Sequence, residues 1–337
     1  CRALGLQTAA VHSEADVNAK HVAAADDART IGPAAAKESY LVAKRVLDAA
    51  KDAGADAVHP GYGFLAENAD FARAVADAGM TWVGPDPKTI TDMGDKARAR
   101  NLAEDAGVPI VPGSQRFVAG ENDGLDAAGR EIGFPLLVKA TAGGGGIGMK
   151  RVDEPAALQD TVEATENMAE KAFGDGTVYL EKLIERPRHI EIQLFGFGDG
   201  KAVHFFEREC SIQRRFQKII EESPAPGLPP AIRDAMANAA VALANQENYR
   251  GAGTIEFIMA PDGNFYFLEM NTRIQVEHPA TEMITGVDLV SLQLRLARGD
   301  DLSELTQDSI AASGHAIECR IYAENPAKNF LPSPGPL

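Results

Sequence analysis

Two short strands joined by a tight turn, each carrying a glutamate at the same level, constrain this chain more than any other feature. Gly253-Thr-Ile-Glu-Phe-Ile-Met259 has strand composition, and Phe265-Tyr-Phe-Leu-Glu-Met270 is its return strand. Between them, Pro261-Asp262-Gly263-Asn264 is a hairpin turn signal. With Asp262-Gly263 at the turn centre, the register places Glu256 directly opposite Glu269. Like charges facing each other across an antiparallel pair are destabilising. A hard divalent cation removes the conflict, because Mg²⁺ is held by one or two carboxylates together with substrate phosphates. The pattern continues past the hairpin: Glu269, Asn271, Arg273, Gln275 and Glu277 fall at every second position. In an extended chain they share one face, with Met270, Ile274 and Val276 on the other. A solvated strand would account for the alternation. It would not account for acid, amide and guanidinium in one row ending in Glu-His-Pro, so the row predicts metal and anion ligands.

A second signal lies upstream. Leu136-Leu-Val-Lys139 reads as a strand, Ala142-Gly-Gly-Gly-Gly-Ile-Gly148 follows, and Met149-Lys-Arg-Val152 reads as another strand. Glycines let backbone N–H groups approach phosphate closely. The lysine precedes the glycines and a strand follows them, which excludes both a Walker A loop and a dinucleotide-binding turn. A flexible linker rarely joins two short strands with a lysine at the base. A glycine hairpin over phosphates plus a separate carboxylate strand is the ATP-grasp arrangement.

The rest of the chain fits such an architecture. Its 337 residues suggest two or three domains. Strand-like and helix-like runs alternate through the first third: Thr8–His12 and Ala55–His59 as strands, Ser39–Ala53 and Asn68–Ala78 as helices, then Thr81–Val83 as a strand. That rhythm implies a parallel sheet with helices on its faces. Lys88–Ala106 reads as one helix, and Val108-Pro-Ile-Val-Pro-Gly113 as a domain entrance. Alternating strands such as Ile190–Leu194 follow beyond residue 184. The opening on Cys1 and the turn-rich end at Leu337 read as a fragment cut at both ends.

Composition excludes several classes. The net charge of −16, from 33 basic and 49 acidic residues, argues against sequence-independent nucleic-acid binding. No apolar run approaches the ~20 residues needed to span a bilayer, and no secretory signal is visible. Cys1, Cys210 and Cys319 support neither a disulfide framework nor a zinc site, which points to a reducing, cytoplasmic setting.

Taken together, these residues resemble biotin carboxylase. The resemblance runs through His59-Pro-Gly-Tyr-Gly-Phe-Leu-Ala-Glu-Asn68, Met93-Gly-Asp-Lys96, Glu181-Lys182, Pro187-Arg-His189 and Gln213-Arg-Arg-Phe-Gln-Lys218. It continues through Glu269-Met-Asn-Thr-Arg-Ile-Gln-Val-Glu-His-Pro279 and His315-Ala-Ile-Glu-Cys-Arg320. It covers essentially the whole chain. It implies an α/β protein with α+β elements and an ATP-grasp fold in three parts. Residues 1–111 would be an N-terminal parallel α/β domain lacking its first strand, with a linker helix. Residues 112–183 would be a mobile glycine-rich lid, and residues 184–337 a truncated catalytic domain built on a mixed or antiparallel sheet.

The resemblance also implies roles. Lys96 and Lys139 would hold ATP phosphates as point charges, helped by backbone N–H groups of Gly145 and Gly146. Glu181, Lys182, Leu183 and Ile184 would form the hinge that meets adenine, with Met149, His189, Gln213, Phe216 and Ile258 also lining the nucleotide. Glu256, Glu269 and Asn271 would ligate Mg²⁺ or Mn²⁺, and the two glutamates would also reach ATP. Lys218, Arg273, Gln275, the Val276 backbone and Glu277 would take bicarbonate, a planar anion suited to a guanidinium fork. Glu277 would be the general base, with Lys218, Arg273 and Arg320 the other catalytic groups. Tyr62, Gly63 and Arg320 would meet biotin, presented on a carrier protein or domain. The implied activity is ATP-dependent carboxylation of biotin by bicarbonate through carboxyphosphate. This is the first half-reaction of an acyl-CoA or pyruvate carboxylase, with a carboxyltransferase partner and a homodimeric full-length form. Two alternatives stay open: another ATP-grasp carboxylate ligase, and a nucleotide-binding fragment without turnover.

Two positions depart from the family. Ile147 stands where a cation is usual in the glycine loop, and Phe216 stands where many members carry His. Among weaker signals, His12, His21 and His204 read as surface or loop histidines and Cys210 as a buried small hydrophobe. Glu221-Glu222 reads as a solvated turn, close enough to Lys218 for a positioning role.

Overall fold

The computed structural model describes residues 1–141, 148–214 and 217–333. The N-terminal part carries strands β1 (Ala9–His12), β2 (Asp27–Thr30), β3 (Ala57–Val58) and β4 (Thr81–Trp82), with helices α1 (Lys20–Ala24), α2 (Ala43–Asp52) and α3 (Ala69–Asp77). Both pairings are parallel, as expected. They form two separate two-stranded sheets, β1–β2 and β3–β4, rather than one. The two residues of β3 and β4 leave little backbone for further pairing. Asn68 caps α3 by accepting from Phe71 N–H, and Phe71, Val75 and Trp82 fill the core beneath.

The stretch expected as one helix from Lys88 to Ala106 is two: α4 (Pro87–Gly94) and α5 (Lys96–Asp105). Asp95 breaks it. Its backbone is extended, and its carboxylate accepts from Ala97 and Arg98 N–H, so it starts a new helix with Lys96 at the first position. Aspartate favours such caps over helix interiors because it competes for nearby backbone donors.

A four-stranded antiparallel sheet follows, in the order β5 (Gly113–Phe117), β8 (Val178–Lys182), β6 (Leu136–Ala140), β7 (Met149–Val152). Helices α6 (Leu125–Ile132) and α7 (Leu158–Phe173) cover it, and Leu136, Val138, Val162 and Leu180 are buried between them. The expected strands on either side of the glycine run are β6 and β7, paired with Lys139 opposite Met149. The glycine run, including Gly145, Gly146 and Ile147, and Phe216 lie outside the described residues.

The largest sheet has six antiparallel strands. Their order is β13 (Phe265–Asn271), β12 (Arg250–Met259), β9 (Arg188–Phe197), β10 (Ala202–Arg214), β11 (Gln217–Ser223), β14 (Ala316–Cys319). Helix α8 (Pro230–Gln246) packs on one face over Ile190, Ile192, Leu194 and Ile255. Helices α9 (His278–Thr285) and α10 (Leu289–Arg298) lie on the other, with Leu289 and Leu292 of α10 against Phe195, Phe205 and Ala252. This sheet is therefore buried on both faces, and any charge on its strands must be paired.

Candidate active site

The hairpin register holds where it matters. Glu256 of β12 faces Glu269 of β13. The route differs from the simple expectation. Met259 pairs with Phe265 across a five-residue loop, so the first three pairs run one residue short of that register. A bulge at Leu268 then restores it between Phe257 and Glu256. The same bulge turns Leu268 out to solvent, 47% exposed.

The extended row beyond the hairpin is shorter than its alternation suggests. β13 ends at Asn271, and residues 272–277 turn toward α9. The polar side chains converge all the same. Asn271 Nδ2 and Gln275 Nε2 donate to Glu256 Oε1 at 2.9 and 3.0 Å. Arg273 donates to Asn271 Oδ1 at 2.8 Å and to Glu67 Oε2 at 2.9 Å, while Thr272 N–H donates to Glu67 Oε1. Glu67, from the loop before α3, thus fastens the N-terminal part to the catalytic strand.

Lys218 sits at the centre. Its ammonium donates to Glu191 Oε2 at 2.6 Å, Glu277 Oε1 at 2.7 Å and Glu256 Oε1 at 2.9 Å. An ammonium has three donors, and all are used. Burial disfavours the charge on Lys218, but the surrounding carboxylates outweigh it and raise its pKa. Burial likewise opposes ionisation of Glu191 and Glu256. Arg208 and Lys218 overcome it at Glu191, and His189 and Lys218 at Glu256, so both stay below the ordinary carboxylate range. His189 Nε2 lies 2.7 Å from Glu256 Oε2, and its Nδ1 meets the Gln213 amide nitrogen at 2.7 Å. Arg320 closes the ring, donating to Glu277 Oε2 at 2.7 Å and Glu221 Oε1 at 2.5 Å.

A cavity of about 200 Å³ opens beside this network. Glu67, Lys96, Glu269 and Asn271 line it. Glu269 makes no hydrogen bond or ion pair among the described residues; partial burial and the nearby Glu256 raise its pKa, with Lys96 opposing. A carboxylate left open beside a second one, an amide and a lysine is a donor set that fits a hard divalent cation and a phosphate.

The other expected nucleotide residues are spread around the same end. Lys139 ion-pairs with Glu181 across β6 and β8. Lys182 and Leu183 spend their backbone N–H groups on Pro112 and Pro135 carbonyls. Ile258 pairs with His189 across β12 and β9. Met149 is 38% exposed on β7. Tyr62 and Gly63 are exposed in the loop after β3, where Gly63 takes a left-handed φ of 72°. Val276 is half-buried in the turn before α9.

The sequence reading missed the buried half of the site. Arg208 is completely buried. It donates to Glu191 (2.6 Å), Gln193, Thr281 and Gln275 (each 2.8 Å). The usable signal was alternation: Glu191 and Gln193 interrupt Ile190, Ile192 and Leu194 on a strand now seen to be covered on both sides. Two local expectations also fail. Glu221 is not on a solvated turn but fully buried on β11, opposite Glu318. His12 is buried at the end of β1, its Nδ1 2.9 Å from Ser13 O. Cys210 is buried, as expected of a small hydrophobe.

A phosphate-sized cavity beside a carboxylate hairpin, framed by a glycine-run sheet and a large antiparallel sheet, defines an ATP-grasp enzyme. Comparison with known proteins narrows this. Residues 1–90 match the biotin carboxylase N-terminal domain, and residues 95–305 match the ATP-binding domain of the carbamoyl-phosphate synthase L chain. The biotin carboxylase of Nostoc sp. is 52% identical over 335 residues, 99% of this chain and 74% of that protein. The biotin carboxylase–β,γ-ATP complex from Campylobacter jejuni superposes with a TM-score of 0.87 at 43% identity, covering 98% of this chain and 73% of that one. The biotin carboxylase domain dimer of Hydrogenobacter thermophilus 2-oxoglutarate carboxylase, in complex with MgADP, ADP and bicarbonate, gives 0.86 at 48% identity, with the same coverage. The chain belongs to the biotin carboxylase family. It is an ATP-dependent ligase that carboxylates biotin.

Proposed function

We propose that this chain divides the reaction between two neighbouring regions, the cavity at Glu269 and the ring around Glu277. The observation that carries this is the ring itself: Lys218 and Arg320 each hold one oxygen of Glu277, while Arg273 stands beside Asn271. ATP phosphates are held by Lys96 and Lys139, with Glu181–Ile184 as the adenine hinge and His189 and Gln213 beside the nucleotide. Because Lys182 and Leu183 already spend their N–H groups, Ile184 offers the free hinge edge. Glu256, Glu269 and Asn271 hold Mg²⁺ or Mn²⁺, which neutralises phosphate charge when bound. Bicarbonate lies against Arg273, Gln275 and the Val276 backbone, and takes a Lys218 donor from one of its three carboxylates. A bicarbonate oxygen attacks the γ-phosphorus and ADP leaves, giving carboxyphosphate. This breaks down to CO₂ and phosphate. Glu277 or that phosphate takes the ureido proton, the biotin nitrogen bonds to CO₂, and Arg320 faces the charge developing on the ureido oxygen. Tyr62 and Gly63 complete the biotin side.

Biotin arrives on a carrier protein or domain, and a carboxyltransferase receives the product. Several relatives are parts of such assemblies, including a pyruvate carboxylase subunit of Methanothermobacter thermautotrophicus. The full-length form acts as a homodimer. Among the described residues no helix is long and apolar enough to cross a membrane, in keeping with a cytoplasmic site of action.

The test is ATP hydrolysis that requires bicarbonate and rises with biotin, with carboxybiotin as product. An acyl phosphate or amide instead would make the chain another carboxylate ligase, and nucleotide binding without turnover would make it a binding piece. A second expectation concerns the metal. In excess chelator, Glu269→Gln removes a like-charge pair and stabilises the fold by about 0.2–1 kcal/mol. With Mg²⁺ and ATP the same variant binds metal more weakly and loses the ligand-induced rise in Tm. Denaturant and thermal unfolding under both conditions measure this.

A further inference from the structure

Strands β11 and β14 place two glutamates directly opposite each other, Glu221 and Glu318. Antiparallel partners at this spacing repel when both are charged. Glu221 is fully buried, and its Oε1 accepts from Arg320 Nε at 2.5 Å. Its Oε2 and the Oε2 of Glu318 are both buried with no hydrogen-bond partner among the described residues. One guanidinium therefore serves three carboxyl groups: Glu221 and Glu277 by direct bonds, Glu318 from two residues away. Three buried anions around one cation is a costly arrangement unless one carries a proton.

We propose that Glu221 and Glu318 are a positioning pair for Arg320, in which Glu221 is ionised and holds the guanidinium toward Glu277 while Glu318 stays protonated. This rests on the reading of Arg320 as the group that faces biotin. The groups that act on Glu318 come from each element packed around it. Burial comes first, then Glu221 of β11 and Glu277 at the start of α9, all of which raise it; Arg320 and Arg208 of β10 lower it. The balance pushes Glu318 up to about 7. Below that pH the pair carries one negative charge and Arg320 keeps its field for the developing oxyanion. Above it, a second carboxylate beside Glu221 draws and neutralises the same guanidinium. Biotin use thus falls as pH rises through about 7.

The experiment measures kcat and KM for biotin, at saturating ATP, Mg²⁺ and bicarbonate, from pH 6 to 9 in the full enzyme. The wild type is expected to lose biotin kcat/KM through an ionisation near 7. Glu318→Gln, which fixes the neutral form, keeps turnover at low pH and lacks that inflection. Glu221→Gln raises KM for biotin about tenfold, the loss expected for one charge-assisted hydrogen bond. Glu221→Asp restores most of it. Thermal unfolding of each variant separates misfolding from mispositioning, and Glu318→Gln carries the test if Glu221→Gln does not fold. An inflection that persists unchanged in Glu318→Gln, or a biotin KM within twofold of wild type in a folded Glu221→Gln, overturns the pair. A wild-type enzyme with no biotin-stimulated hydrolysis would instead overturn the functional reading beneath it.

Discussion

Arg208→Met is expected to destabilise the protein by about 3–5 kcal/mol and to lower Tm by on the order of 10 °C. The guanidinium is completely buried and bonds Glu191, Gln193, Thr281 and Gln275. Met fills a similar volume but offers no donors. Glu191, itself fully buried, is then left with Lys218 alone. Removing one partner of a buried pair strands the other charge, which costs far more than the intact pair contributes. A second substitution separates charge from packing. Glu191→Gln in the Arg208→Met background removes the stranded anion, so the double variant should be more stable than Arg208→Met alone. Denaturant unfolding of the three variants at pH 7 measures this. A loss under about 1 kcal/mol for Arg208→Met would mean that water reaches Glu191 and that the cluster is not closed.

That cluster also shows which part of the site a sequence can reveal. Glu256 and Glu269 were readable because they lie on one hairpin, where a turn signal and period-two alternation set the register with no long-range information. Even there the local rule worked through a compensating irregularity, the bulge at Leu268. Arg273, Gln275 and Glu277 were readable as a row because they are contiguous, although the chain carrying them leaves the strand after Asn271. Arg208 and Glu191 were not readable. They are 17 residues apart, and their meeting depends on the β9–β10 pairing and on helices covering both faces. A charged residue at an alternating strand position reads as solvent-facing until the covering layer is known. Glu221 was misplaced for the same reason. Its neighbour Pro224 suggested a turn, whereas pairing with β14, nearly a hundred residues on, buries it. In the N-terminal part, the order of strands and helices followed from apolar runs and glycine stops. The Asp95 break did not, because Lys88–Ala106 has continuous helical composition and only the capping geometry divides it.

Glu277→Gln is expected to lower the rate of carboxybiotin formation by about 10²–10⁴-fold, the range for loss of a positioned general base. The substitution is nearly isosteric, and the surrounding cations keep other partners. Lys218 retains Glu191 and Glu256, and Arg320 retains Glu221. The fold should therefore survive, and the loss should fall on chemistry rather than on assembly. KM for ATP should change little, because Glu277 contacts Lys218 and Arg320 rather than the residues lining the Glu269 cavity. Glu277→Asp keeps the charge but shortens the reach, so it should fall between wild type and Gln. The measurement is carboxybiotin formed per ATP hydrolysed, at saturating bicarbonate and with unfolding checked for each variant. If Glu277→Gln hydrolyses ATP but forms no carboxybiotin, Glu277 acts on biotin after carboxyphosphate has formed. If both reactions fall together, it acts already in the attack of bicarbonate on ATP. A loss below about tenfold in a folded variant would remove Glu277 as the base. The released phosphate, the other acceptor present at that step, would then take the ureido proton.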